Sequence, residues 1–329
     1  MSVSDNPAIS VVVAFASDTT SPPDTRHLGP CLDALGRQSS PPRMEIIVPH
    51  VSALSGIEEL RRRHPAVRFL EVHDLRKYTG RGNSREHHGE LISRGMALAQ
   101  GDIVALIEDN DIVKPDWSGS VVRAHRRPFA GIGGAIENGI DRPLNWAVYF
   151  CDFLRYQNPL PEGESTRASD ANVTYKRTAL EAIRSVWKDE FHEATVNGAL
   201  IALGEKLALA PGIVVDQRRQ GLRLLTALRE RFVWGRSFGA WRCGQSRTAR
   251  RVFWAIFSPA LPVLLVGRMS LIALRKRRTF AAFVKALPLT AALTVGWSCG
   301  ELTGYLTGRA NAADAFTRHR ITHDASAAS

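Results

Sequence analysis

The residues best suited to do chemistry stand together in one stretch, GDIVALIEDNDIVKPDW, at 101–117. An apolar run from Ile103 to Ile107 stops at Glu108, Asp109, Asn110 and Asp111, three acids and an amide in a row. Hard divalent cations prefer oxygen ligands, and Mg²⁺ usually takes one or two carboxylates together with phosphate oxygens. A short acid-x-acid turn offers that many protein ligands and leaves positions open for a diphosphate. Two spacings serve, Glu108-x-Asn110 and Asp109-x-Asp111. The competing account is a polar turn that ends a strand, with Asp and Asn bonding their own backbone.

Such a cluster must be positioned by the elements around it. AISVVVAFA (8–16), MEIIVP (44–49), VRFLEV (67–72) and DIVALIE (102–108) read as short, near-continuous apolar strands. Between them HLGPCLDALGRQ (27–38), IEELRRRH (57–64) and EHHGELISRGMALAQ (86–100) carry helical spacing. This alternation predicts an α/β fold with a mostly parallel sheet and helices on both faces. In such sheets ligands bind outside the carboxyl ends of the strands. Both the 108–111 cluster and AFASD (14–18) fall at such an end.

Charge divides the chain. The formal net charge is +11 over 329 residues, but residues 218–329 hold 19 Lys/Arg against 4 Asp/Glu, while the first 217 hold 24 against 28. A mildly acidic front part, 1–220, thus precedes a strongly basic, apolar rear part, 221–329, suited to an anionic partner. Arg stands beside aromatics in RERFVWGR (229–236), and GQSRTARR (244–251) adds more basic residues, yet no RNA-binding motif accompanies them. The Gly-rich loop YTGRGNSR (78–85) is no phosphate-binding GxxxxGK[ST] loop. The four cysteines, Cys31, Cys151, Cys243 and Cys299, form no metal-ligand spacing, and no signal-peptide pattern follows Met1. Together these read as a reducing, cytoplasmic setting.

The run from Gly89 through Trp117, with Gly95, Ala99, Gly101 and Asp102 ahead of the acids and Pro115 behind, resembles the inverting family-2 glycosyltransferases of GT-A fold. SVVVAFASD (10–18), LGPCLDALGRQ with MEIIV, GGAIENG (133–139), ANVTYKR (171–177) and HEATVNGALIALGEKLALAP (192–211) continue the resemblance in family order. It implies a nucleotide-diphosphate sugar at the sheet's carboxyl edge, contacted by Ala14, Phe15, Ala16, Asp18, His50 and Asp109. It implies a divalent cation, Mg²⁺ or Mn²⁺, on Glu108, Asp109, Asn110 and Asp111, and an acceptor near Asn172, Arg177 and His192. The family's catalytic base falls on Glu193, with Asp189 and Glu190 as neighbours that serve if the register shifts. The chain departs from the pattern at Pro49-His50-Val51, where the family has an acidic pair, and at Ser93 and His192. Arg231 and Arg236 are further candidates to approach the diphosphate.

The rear part bears on location. VFWAIFSPALPVLLVGRMSLIAL (252–274) and FAAFVKALPLTAALTVGWSCGELTGYL (280–306) approach the ~20 apolar residues of a bilayer span. Arg268, Lys285, Glu301 and three prolines interrupt them, and RKRR (275–278) lies between. A spanning hairpin would put RKRR across the membrane from the front part, against the positive-inside tendency. Interfacial or re-entrant attachment to an anionic membrane at its cytoplasmic face is therefore expected; a buried helical pair or a homo-oligomer face is the alternative. Gly296, Gly300, Gly304 and Gly308 recur every four residues, a spacing that lets helix backbones approach closely. Two functional classes follow. One is a glycosyltransferase acting on a glycan or lipid-linked, cell-envelope acceptor, without a nucleic-acid partner. The other is a binding or scaffold protein on the same fold without turnover. A nucleotidyltransferase is less favoured, since AFASDTTSPPD lacks a Gly/Lys-rich loop.

Overall fold

The computed structural model describes residues 6–15, 25–52, 54–75, 87–244 and 248–308. They divide into two compact units. The first takes 6–75, 87–139 and 156–218; the second takes 140–155 and 219–308. The segment 140–155, expected in the front part, groups with the rear helices, for reasons its side chains supply below.

The first unit begins β1 (Ile9–Ala14), α1 (Leu28–Gly36), β2 (Met44–Val51), α2 (Ile57–Arg63), β3 (Arg68–Val72), α3 (His88–Leu98) and β4 (Ile103–Glu108). These follow the expected alternation, because each apolar run is long enough for one buried strand and each amphipathic run for two or three helical turns. The short β5 (Asp111–Val113), α4 (Trp117–His125) and β6 (Gly131–Asn138) come next, then α5 (Pro143–Asp152) of the second unit. The chain returns through β7 (Gly163–Ser165), β8 (Asn172–Lys176), α6 (Arg177–Ala182), α7 (Arg184–Trp187), α8 (Glu193–Ala202) and β9 (Leu207–Gln217).

The strands form one sheet in the order β3-β2-β1-β4-β8-β6-β9-β5, with β7 also on β9. Parallel pairing joins β3, β2, β1 and β4, and also β6 and β9; β8, β5 and β7 run against their neighbours. Every residue of β1 and β4 is buried, as expected for strands covered on both faces. Beneath them Val12, Met96, Leu106, Val173, Leu180 and Trp187 share one core cluster. Burying each such large side chain contributes about 1.5–3 kcal/mol. Gly101 shows why the turn before β4 needs glycine: a Cβ there would stand 2.5 Å from the Ser10 backbone nitrogen.

Two features aim the carboxyl edge. Ala14 pairs with Glu108 and Ile107 with Asn172, so β1, β4 and β8 meet at one end. Strand β9 pairs with β6 in two halves, Gly134 opposite Ala210 and Ala135 opposite Val214. The three extra residues, Pro211 to Ile213, bulge the strand and re-aim it. Its last residue, Gln217, then pairs with Asp111.

The second unit is helical: α5, α9 (Leu224–Gly244), α10 (Thr248–Phe257), α11 (Leu261–Lys276) and α12 (Phe280–Thr307). Phe150 of α5 stacks edge-on with Phe283 of α12, and Asp152 takes both terminal nitrogens of Arg231 on α9, at 2.6 and 2.5 Å. These contacts bind 140–155 to the rear helices. The segments Arg250–Lys276 and Phe280–Thr307 are long and apolar enough to cross a membrane.

Glycines set the α9–α12 spacing. A Cβ at Gly300 would lie 2.0 Å from the Phe232 carbonyl oxygen, and one at Gly304 2.2 Å from that of Arg236. Gly235 and Gly239 answer from α9, at 2.1 and 2.3 Å from the Trp297 and Glu301 oxygens. Gly308 serves differently, ending α12 as a left-handed cap at φ 60°. Within this contact the buried Glu301 accepts bonds from Trp297 Nε1 (2.8 Å) and the Tyr305 hydroxyl (2.5 Å), with Arg242 at 3.4 Å. Gly300→Ala should therefore cost about 1–3 kcal/mol by overpacking, read as a lower thermal midpoint. Gly267→Ala, where a Cβ would meet nothing, should hold or raise it.

Candidate active site

The four residues of the cluster are buried where β4 turns into β5; Asp109 and Asp111 are 0% exposed. Their backbone is pinned from three directions. Asp109 N–H donates to the Ala14 carbonyl (2.9 Å), Arg218 N–H donates to that of Asn110 (2.8 Å), and the Cys31 thiol reaches that of Glu108 (3.8 Å). Among the side chains, Gln217 Nε2 donates to Glu108 Oε2 (3.2 Å), and Glu108 N–H donates to Asp111 Oδ2 (2.8 Å). Asn110 Oδ1 and Asp111 Oδ1 are buried with no hydrogen-bond donor. Burial first, then the Glu108 carboxylate, push the Asp111 carboxyl well above its ordinary range; Asp109 and Asp170 add to the rise and the Glu108 N–H opposes it.

A polar turn that satisfied itself would leave neither oxygen orphaned. Among the described residues no three His, Cys, Asp or Glu side chains close around one point as a finished ion cage. What the turn offers is a partial shell: two orphaned oxygens with two more carboxylates beside them. Those groups fit a hard divalent cation that takes its remaining oxygens from a diphosphate.

Beside the turn lies a second set of acids. Glu193 is the first residue of α8, and its Oε2 accepts the backbone N–H of Asp170 at 3.1 Å. Asp170 Oδ2 stands 3.6 Å from His88 Nε2, while His88 Nδ1 lies 3.0 Å from the Phe15 carbonyl. Asp170 thus links the end of β1, the base candidate and Asp111. Burial, then Glu193 and Asp170, also push the Tyr175 phenol upward, and its hydroxyl donates to Asn197 (2.7 Å). Asp170 was not singled out in the sequence. Its only signal there is an acid two residues ahead of β8.

The other expected residues divide. Ala14 and Phe15 are buried at the β1 end and His50 at the β2 end, as their strand positions require. Burial lowers the His50 pKa, and its Nε2 faces Arg61 at 3.4 Å. Glu190 and His192 are buried side by side, with Oε1 and Nε2 3.4 Å apart, whereas Asp189 is exposed. Ala16, Asp18 and the 78–85 loop lie outside the described residues.

Three expectations need correction. Asn172 is fully buried; its Nδ2 donates to the Ala135 and Ile213 carbonyls (2.9 and 3.0 Å) and its Oδ1 accepts from Trp117 Nε1 (3.1 Å). It is an internal latch between strands and α4, with nothing left to offer an acceptor. Arg177 lies at the wrong end of β4, its Nε bonded to the Gly101 carbonyl (2.9 Å), because β8 runs antiparallel and carries the chain away from the cluster. Arg231 is committed to Asp152 within the second unit; Arg236 stands on the same helix of that unit.

No family model matches the chain, and no curated protein matches it. Among solved structures, the mannosyltransferase PcManGT from Pyrobaculum calidifontis, in complex with GDP-Man and Mn²⁺, is similar over 98% of this chain and 87% of its own, at 15% identity and a TM-score of 0.45.

Proposed function

We propose that the chain is a glycosyltransferase that moves a sugar from a nucleotide-diphosphate sugar to a hydroxyl of a glycan or lipid-linked acceptor, with inversion at the anomeric carbon. The observation that carries this reading is the buried acidic turn at the carboxyl edge of β1 and β4, with two orphaned oxygens and Asp111 held far from its ordinary titration. The ordered sequence resemblance supports it independently.

In this reading the nucleotide lies along the β1 and β2 ends, near Ala14, Phe15 and the neutral His50. Asn110 and Asp111, with Glu108 and Asp109 beside them, would hold a divalent ion, which when bound would supply charge neutralisation for the departing diphosphate. Glu193 takes the proton from the acceptor hydroxyl as that oxygen attacks, a contribution typical of a positioned general base. The Asp170 N–H holds one Glu193 oxygen and so fixes the direction in which the carboxylate reaches. The basic, apolar rear part supports attachment at the cytoplasmic face of a membrane rather than to nucleic acid, with a homo-oligomer as the alternative for its apolar helices.

The test is release of nucleotide from a panel of nucleotide sugars with Mn²⁺, with Mg²⁺ and with chelator. Release that needs the metal supports transfer. A folded protein that binds donors but releases nothing under any condition contradicts it and favours a binding protein on this fold.

A further inference from the structure

We propose that the outward face of α11 is a binding surface for anionic lipid that lies along the membrane interface and does not cross the bilayer; this rests on the membrane attachment proposed above. Together with α10, the 16-residue α11 forms the apolar stretch Arg250–Lys276, which is long enough to span, so charge rather than length argues against crossing: Arg268 falls inside the stretch. A short 3-10 turn, Ser258–Ala260, and Pro262 separate it from α10.

One side of α11 is buried through Met269 and Ala273, while Val263, Leu264, Leu271 and Leu274 are 76, 66, 58 and 49% exposed. Arg268 and Arg275, both exposed, line the same shallow groove as Leu264 and Leu271, and Gly267 leaves its floor bare. A lipid-facing arginine halfway along a membrane-spanning helix is strongly unfavourable. The same arginine on an interfacial helix reaches headgroup phosphates while its leucine neighbours enter the acyl boundary. Helix α10 repeats the composition, with Phe253, Ile256 and Phe257 49, 67 and 53% exposed and Arg250 exposed as well.

Charge selects the occupant. Between residues 250 and 300 there is no Asp or Glu, whereas Arg268, Arg275, Arg277 and Arg278 are all exposed. A second protein copy would bring the same positive charge against this face. An anionic bilayer offers apolar depth and complementary charge together.

The test uses the full chain and flotation with vesicles of phosphatidylcholine alone or in equal parts with phosphatidylglycerol. Binding should favour the anionic vesicles, and Arg268→Gln with Arg275→Gln should weaken it by roughly 30-fold. Leu264→Asp with Leu271→Asp should abolish binding to both vesicle types. Metal-dependent nucleotide release by each variant reports folding. If that release is absent even in the unsubstituted chain, its thermal midpoint reports folding instead, and flotation still reads lipid binding separately. In sealed vesicles, with the native cysteines replaced by serine, Arg250→Cys and Arg278→Cys should react with an impermeant maleimide from the same side. Equal binding to both vesicle types, labelling from opposite sides, or lipid-independent self-association lost in the leucine variants would each overturn the proposal.

Discussion

Glu193→Gln should lower kcat by about 10²–10⁴-fold, the usual contribution of a general base, and leave donor affinity within a factor of about two. The asymmetry follows from where the residue sits. Its carboxylate begins α8 and accepts the Asp170 N–H at 3.1 Å. A glutamine carbonyl accepts the same bond, so the local fold persists. What glutamine cannot do is take a proton from the acceptor hydroxyl. In the proposed reading donor contacts fall at the β1, β2 and β4 ends, which the substitution leaves alone. Steady-state kinetics with a donor titration separate the two quantities. Unchanged turnover would remove Glu193 from the mechanism and turn attention to Asp170, the other acid at this position.

Asp111→Asn should abolish metal-dependent turnover and yet make the metal-free protein more stable at neutral pH. Burial and the Glu108, Asp109 and Asp170 carboxylates raise the folded-state pKa of Asp111 above its ordinary value of 3.8. Between those two values the folded protein holds a proton that the unfolded chain has released. Stability from this group is therefore fully present below the ordinary value and lost as pH rises through the raised one. The uncharged amide removes that loss. Each kcal/mol recovered should raise the thermal midpoint by about 2–4 °C, and the gap between variant and parent should close as pH falls towards 4. Added Mn²⁺ should reverse the order, because a ligand that binds only the folded state stabilises only the protein able to bind it. Midpoints across pH, with and without Mn²⁺, check both halves. A variant that melts below its parent at every pH would show that Asp111 is a structural turn residue.

These two residues differ in how far the sequence exposes them. The 103–107 run needs a buried strand, and the carboxyl end of such a strand is where open α/β sheets bind ligands, so the acidic turn declared itself. Glu193 came from family spacing, since nothing local distinguishes an acid in a helix's first turn from a dipole-favoured one. Asn172 and Arg177 depart from expectation for different reasons: Asn172 stays at the cluster end but its buried amide bonds Ala135, Ile213 and Trp117, whereas Arg177 is carried away from it. The direction of β8 is set by pairing with strands far away in sequence, and antiparallel pairing sends Arg177 to the opposite end of the sheet. Asp170 escaped notice because its importance comes from where that same pairing puts it. The tail glycines were legible as a ridge, but their partners Gly235 and Gly239 sit in a mixed basic and aromatic stretch with only that one pair at the same spacing to advertise a helix contact. That α5 belongs with the rear helices depends on Phe150 meeting Phe283 and Asp152 meeting Arg231, contacts no local pattern encodes.

The whole mechanism depends on the 108–111 turn binding a nucleotide diphosphate through a divalent cation. Calorimetric titration of GDP and UDP in turn into the full chain, with Mn²⁺ and with chelator, measures that binding itself. Heat of binding is expected for at least one nucleotide with Mn²⁺, none with chelator, and none for Asp111→Asn under either condition. Binding of equal strength in chelator, or unchanged binding in Asp111→Asn, would contradict the mechanism.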